Sequence, residues 1–348
     1  VAFAGRDPNS APMRRAIFAL LILFFVGPMP WTVQRFPVDD HRQLVTARPL
    51  PDRPPPSGSL HLVRGWHLVS PHSRFGGFSA LARPAPGVFI LVGDNGYRTR
   101  LTIDAAGRVG GVDIRALPTP DGRPASKAMA DVEALVVEPQ RDRAWIALEG
   151  INQIWRLDAA LSRIEARRKL PEPRWPANRG AEAMARLPDG RMVVFSEDAD
   201  EDPRGREALL YAGDPAMPGP PPQRFFYDAR GKGLVSDAAV LPDGRILLVH
   251  RRLGFDPVFT TILAVVDPAD IRTGGVVRSQ TIGRVPRRLA ENYEGAAVGV
   301  EGGRTYLWLV SDDNFNRWQR SLLLQFELVD LPPARTPDSK KAARKPAA

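Results

Sequence analysis

The chain has 348 residues, 43% hydrophobic and 25% charged, with 35 prolines and 30 glycines, the balance of a globular protein built from many turns rather than long helices. Cysteine is absent, which excludes disulfides and thiolate metal sites. The formal charge of +9 gathers in the N-terminal arginines and the tail "SKKAARKPAA", and no aromatic-basic motif of a nucleic-acid reader accompanies it, so no nucleic-acid partner is expected.

In chain order, residues 1–12 read as an extension upstream of the functional start. From Met13 the order is two arginines, then an apolar run from Ala16 to Val26. That is the pattern of a secretory signal, with a retained membrane anchor through residues 14–26 as the alternative, so 13–30 is assigned to one or the other. The expected location is the periplasm or the exterior, at the inner membrane if the segment is retained. Residues 31–58, including "RPLPDRPPPSGS", read as a Pro-rich linker, and 330–348 as a basic disordered tail.

Between them, residues 59–329 hold a recurring phrase. Its copies are "GFSALARPAPGVFILVGDNG", "DVEALVVEPQRDRAWIALEG", "GAEAMARLPDGRMVVFSEDA", "VSDAAVLPDGRILLVHRR" and "NYEGAAVGVEGGRTYLWLVSDDN". Keyed on Ser79, Glu133, Glu182, Asp237 and Glu294, the copies are 54, 49, 55 and 57 residues apart. A period near that length, with strand-turn-strand content, predicts an all-β propeller. The Pro-Asp-Gly turns at 188–190 and 242–244 suit hairpins, and the runs "MVVF" and "ILLV" suit strands buried on both faces. Weaker strand pairs follow, such as "TTILAVVD" with "GVVRSQTI". The count is five four-stranded blades, with six if a degenerate blade lies in 99–131 or 270–290. The last copy lacks a fourth strand, which "SLHLVRGWHLVS" at 59–70 would supply by pairing with "SLLLQFEL".

A propeller maps equivalent positions onto a circle around its axis. The inner strands therefore bring Ser79, Glu133, Glu182, Asp237 and Glu294 to one mouth of the channel. The ends of the next strands add Asp94, Glu149, Glu197, Arg251 and Asp312. So many carboxylates need protons, arginines or a cation. With no Cys and no zinc-spaced His, a hard ion such as Ca²⁺ is the candidate cofactor, with Glu133, Glu182, Glu294 and Asp312 as candidate ligands. Arg74, Arg98, Arg251 and Arg252 are candidates for neutralising the ring. Arg251, Arg252, Asn292 and Asn314 are candidate substrate contacts for a small anionic or ester substrate. The alternative is that each acid caps the backbone of its own blade. An EF-hand at Asp312 fails, since Arg317 and Leu323 stand where Gly and Glu are required. A hydrolase dyad of Ser79 with His250 lacks the G-x-S-x-G elbow.

Together "GGFSAL", "DVEALV", "GAEAMARLPDG", "SDAAVLPDGRILLVHRR" and "ENYEGAAV" with "LWLVSDDNFNRWQRSLLLQFEL" resemble the bacterial phytase-like family, also described by an esterase-like activity of phytase. The resemblance spans about residues 60–328. It implies an exported propeller hydrolase of phosphate or carboxylate esters, and calcium held by acidic residues as in β-propeller phytases; a monomer is expected. A non-catalytic envelope propeller binding a ligand or protein at its channel mouth, and a propeller lactonase, are the alternative functions.

Overall fold

The computed structural model describes residues 39–51, 53–171, 175, 180–197 and 202–334. The upstream extension, the signal or anchor segment and the tail beyond 334 lie outside the described residues. Among those described, no helix is long and apolar enough to cross a membrane.

The first two strands in the chain, β1 (Thr46–Pro49) and β2 (Leu60–Val69), belong to the last blade. Blade 1 follows as β3 (Phe78–Ala85), β4 (Val88–Gly93), β5 (Tyr97–Ile103) and β6 (Val109–Ala116). Blade 2 is β7 (Val132–Glu138), β8 (Arg143–Leu148), β9 (Gln153–Leu157) and β10 (Ile164–Lys169), preceded by a single helical turn, α1 (Lys127–Ala130). Blade 3 is β11 (Ala181–Arg186), β12 (Met192–Ser196), β13 (Arg206–Tyr211) and β14 (Gln223–Asp228). Blade 4 begins with β15 (Leu234–Val240), β16 (Ile246–Leu253) and β17 (Phe259–Val266). The chain then lays β18 (Val276–Arg278) parallel against β14 of blade 3, and returns with β19 (Gln280–Arg284) as the outer strand of blade 4. Blade 5 is β20 (Asn292–Glu301), β21 (Arg304–Asp312) and β22 (Leu322–Leu328), completed by β2 and then β1.

The five blades and their N-terminal closure agree with the reading from sequence, with β2 antiparallel to β22 from Leu60↔Leu328 to His67↔Leu322. Two details differ. The linker over 31–58 contributes β1, which pairs with β2 and buries Val45 and Ala47. The phrase "GVVRSQTI" is shared between blades 3 and 4: Val277 is buried against blade 3, and one residue after Arg278 the chain passes to blade 4 as β19.

Five apolar clusters hold the ring, each drawn from two neighbouring blades. The one joining blade 5 to blade 1 closes the circle. It stacks Trp66 of the closing strand on Trp308 at 6.1 Å and packs both against Phe89 and Leu323. The Pro-Asp-Gly turns work as their residues require. Gly190 and Gly244 take φ of +89° and +84°, and Asp189 and Asp243 each accept a backbone N–H two residues on, at 3.0 Å. Gly295 is fixed by closeness, since a Cβ there would meet the Leu81 nitrogen of blade 1 at 2.8 Å and Val310 Cγ1 at 2.6 Å. Gly295→Ala is therefore expected to destabilise the protein by ~1–3 kcal/mol in urea unfolding, because backbone must move to admit the methyl group. A loss below a few tenths would mean that blades 1 and 5 are not in this contact.

Candidate functional site at the acidic mouth of the channel

Every inner strand carries the same irregularity. The register skips one residue at Ser79, Glu133, Glu182, Ser236 and Glu294, so each blade has a β-bulge at the entrance of the channel. A bulge leaves one residue unpaired and re-aims its side chain. Asp237, keyed from sequence as the blade 4 member, is one residue too far along. Counting back six residues from the turn prolines Pro188 and Pro242 gives Glu182 and Ser236. The inner ring is thus three glutamates and two serines.

The serines fasten blades together. The Ser236 hydroxyl donates to the Tyr293 carbonyl at 3.0 Å, and the Ser79 hydroxyl donates to the Val132 carbonyl. Both acceptors precede the bulged glutamate of the next blade. Asp237 performs the same task one step deeper, accepting the N–H groups of Ala238 at 2.7 Å and of Ala296 in blade 5 at 2.6 Å. For Asp237 the capping alternative is the observed one.

The second ring lies on the neighbouring strands: Asp94, Glu149, Glu197, Arg251 and Asp312 each follow the residue paired opposite the one just before the bulge. Arg251 organises one side of the mouth. Its guanidinium reaches Glu197 at 2.5 Å, contacts Glu294, and donates to Asn292 Oδ1 at 3.2 Å. Asn292 in turn donates to Glu294 at 3.0 Å and to Asp312 at 3.2 Å. Asp312 also accepts the Asn314 backbone N–H at 2.6 Å. Its neighbour Asp313 points the other way and accepts the N–H of Gly77 at 3.0 Å, tying blade 5 to blade 1. "SDDNFN" is therefore half ring and half latch.

Of the other arginines proposed, Arg98 is buried against Asp113 at 2.9 Å in the outer strands of blade 1. Arg74 lies over the Tyr97 ring, and Arg252 is exposed, one residue past the ring and so on the opposite face of β16. Asn314 reaches the site through its backbone, in a left-handed turn at φ +46°. His250 is fully buried between Tyr227 Oη at 2.7 Å and the Ile262 carbonyl at 3.2 Å, and burial pushes its pKa down to about 3. It is a neutral core residue with both nitrogens occupied, and no dyad with Ser79 exists.

Sequence reasoning missed Asp131. It stands two residues before the bulge of blade 2, where the other blades have Gly77, Gly180, Leu234 and Asn292. Its carbonyl accepts the Glu149 N–H at 3.1 Å. One carboxylate oxygen each from Asp131, Glu133 and Glu149 lies within 4.8 Å of the others. Among the described residues this is the group whose oxygens could share one cation. Of the ligands proposed from sequence, it includes Glu133 alone. Glu294 and Asp312 are occupied by Arg251 and Asn292, and Glu182 lies beside Glu149 within hydrogen-bonding reach.

The electrostatics follow from crowding. Burial, then Glu182 and Glu294, holds the Glu133 carboxyl well above its ordinary range. Glu182 is raised by burial and by Glu197 and Glu149, and Asp312 by burial, Glu294 and Asp94. Glu149 is pushed up to about 7, chiefly by burial, despite the Gly180 N–H it accepts at 2.6 Å. Arg251 is held charged by Glu294 and Glu197 against its own burial. Glu133 and Glu294 keep partial access to water although protein surrounds them. The opposite half of the channel opens as a cavity of about 420 Å³ walled by residues such as Leu81, Ala82, Met184 and Ala297, and none of the acidic ring reaches it.

Residues 73–315 match the family described as "Phytase-like: Esterase-like activity of phytase". No curated protein matches the chain. Among solved structures it is similar to the PQQ-bound aldose sugar dehydrogenase of Streptomyces coelicolor, at 16% identity and a TM-score of 0.44 over 79% of this chain and 99% of that one. It is similar to Kuenenia stuttgartiensis hydrazine synthase at 13% identity and a TM-score of 0.40, over 69% and 78%. It is also similar to the calcium-binding protein regucalcin of Agrobacterium tumefaciens at 14% identity and a TM-score of 0.36, over 72% and 89%. The family match covers most of the chain and nearly all of its blades, and the protein belongs to the phytase-like family.

Proposed function

We propose that the protein is an exported hydrolase of phosphate or carboxylate esters, working at the acidic mouth with a calcium ion held by Asp131, Glu133 and Glu149. The observation that carries this reading is the approach of those three carboxylates to within 4.8 Å. Their donors are all oxygen, as a hard cation requires, and none of the three forms an ion pair with a described residue, the charge of Lys127 acting among them on Asp131 alone. A calcium ion there supplies Lewis-acid polarisation of an ester oxygen. The protein's own residues do the rest. Arg251, fixed by Glu197, Glu294 and Asn292, lowers the negative charge on one side of the ring, which eases the approach of an anionic or ester substrate. Export rests on the apolar run from Ala16 to Val26.

The second reading is a non-catalytic propeller that binds a ligand at the same mouth. It is favoured by one observation: Ser79, Ser236, Asp237 and Asp313 are all spent on backbone between blades, so none is a nucleophile. Hydrolysis of p-nitrophenyl phosphate and p-nitrophenyl acetate, with and without chelator, separates the two. Turnover that a chelator lowers at least tenfold and calcium restores is expected, with Glu133→Gln unable to recover it. Calcium binding with no turnover of either ester would select the ligand-binding reading.

A further inference from the structure

Blade 4 is built differently from its neighbours at the acidic mouth. Strands β16 and β17 continue past Arg251, pairing Arg252↔Thr260 and Leu253↔Phe259 before the loop 254–258. In blade 1 the corresponding strands end at Gly93 and resume at Tyr97. The blade 4 hairpin therefore stands above the ring by about two residues per strand, roughly 7 Å.

Its tip is apolar. Leu253 is 64% exposed, Phe255 99% and Val258 44%. Trp318, from the loop after β21, joins them at 53% exposure with its ring stacked on Phe259 at 6.5 Å. Half of the large apolar side chains exposed among the described residues are gathered at this one projection. Scattered exposed apolar residues need no explanation, but a projecting group that includes a fully exposed Phe and a Trp does.

The surroundings are basic. Arg252, Arg288 and Arg317 are exposed and form no ion pair with the described residues. Asp256, the acid of the tip, is neutralised by Arg287 from the segment before β20. Arg320 is occupied by Glu291 at 2.6 Å. The carboxylates of the ring lie below this level, and Arg251 neutralises those nearest the hairpin.

We infer that this projection docks the acidic mouth onto an anionic lipid bilayer. Apolar side chains that include Trp and Phe at the crest, with arginines around the base, match the two layers of a membrane surface: acyl chains beneath, phosphate headgroups above. A protein partner of ordinary affinity covers about 800 Å² of each surface with matched shape. A narrow convex tip offers little such area, whereas a bilayer opens around a wedge without needing a complementary cleft. The inference stands on the hairpin and its arginines, independently of any hydrolysis at the mouth.

The full chain with vesicles of phosphatidylcholine, alone or mixed with phosphatidylglycerol, tests it. The readout is quenching by acyl-chain-brominated lipid, taken as the difference between the wild type and Trp318→Phe, which isolates Trp318 from the other tryptophans and from any anchoring by residues 14–26. The Trp318 signal should be quenched at least twofold on phosphatidylglycerol vesicles, and the quenching should vanish with Phe255→Asp and fall in high salt. Phe255 is fully exposed, so that variant keeps the fold. If Trp318 stays as open to aqueous iodide with vesicles as without, the inference is wrong. Self-association abolished by Phe255→Asp, without lipid quenching, would instead make the tip a protein interface.

Discussion

Replacing Arg251 with Met should lower the stability of the protein by ~3–5 kcal/mol at pH 8, measured by urea unfolding. Arg251 is buried to about four-fifths, and its partners Glu197 and Glu294 more so. Taking away the cation leaves two buried carboxylates without their counter-charge, which costs more than the pair itself contributes. Glu294, whose carboxyl burial already holds above its ordinary range against the pull of Arg251, is then raised further. A raised carboxyl contributes stability that is present below the unfolded pKa and lost as pH rises through the folded one. The defect should therefore shrink on going from pH 8 to pH 5. Adding Glu294→Gln should recover part of the loss, since the two residues touch and their effects cannot be additive. A defect under 1 kcal/mol, or one that grows with acid, would mean that Arg251 is not the keystone of this side of the mouth.

The second large effect concerns the intact ring. In calcium-free protein, stability should fall as pH rises from about 4.5 to above 7, opposite to the usual acid denaturation. Glu149, moved from 4.5 to about 7 by burial, alone corresponds to roughly 3 kcal/mol at alkaline pH, and Glu133, Glu182 and Asp312 are raised in the same direction. Carboxylates held down by arginine, such as Asp202 at about 2, finish titrating below this window and do not mask it. Calcium at millimolar concentration should restore the lost stability at pH 8 and change little at pH 5, where the ligands carry protons. Melting temperatures across pH, with chelator and with calcium, measure both. A calcium-free curve that climbs monotonically to pH 8 would contradict the crowded-carboxylate account.

The fold was legible because a propeller repeats itself. Equivalent residues recur in the phrase, the Pro-Asp-Gly turns announce their hairpins, and the missing last strand points to the spare one at 59–70. What stayed hidden were departures from the repeat. β18 crosses to blade 3 on the strength of the buried Val277, a preference that a short strand written V-V-R does not display. At the site, the ring itself was legible as a set of polar strand ends. The difference between Asp237 and Ser236 was not, because a bulge shifts register by one residue while the phrase still aligns. Asp131 was overlooked because its counterparts in the other blades are glycines, a leucine and an asparagine, so no repeat marks the position. Direction was hidden as well: Asp312 and Asp313 are adjacent in sequence and face opposite neighbours, one the channel and the other Gly77.

The most direct test of the central claim is anomalous diffraction from crystals of the protein grown with calcium. One strong peak is expected at the acidic mouth, with oxygens of Asp131, Glu133 and Glu149 about 2.3–2.6 Å away. In Glu133→Gln the peak should disappear. A mouth with no peak at saturating calcium, or a peak ligated elsewhere and unchanged in Glu133→Gln, would contradict it.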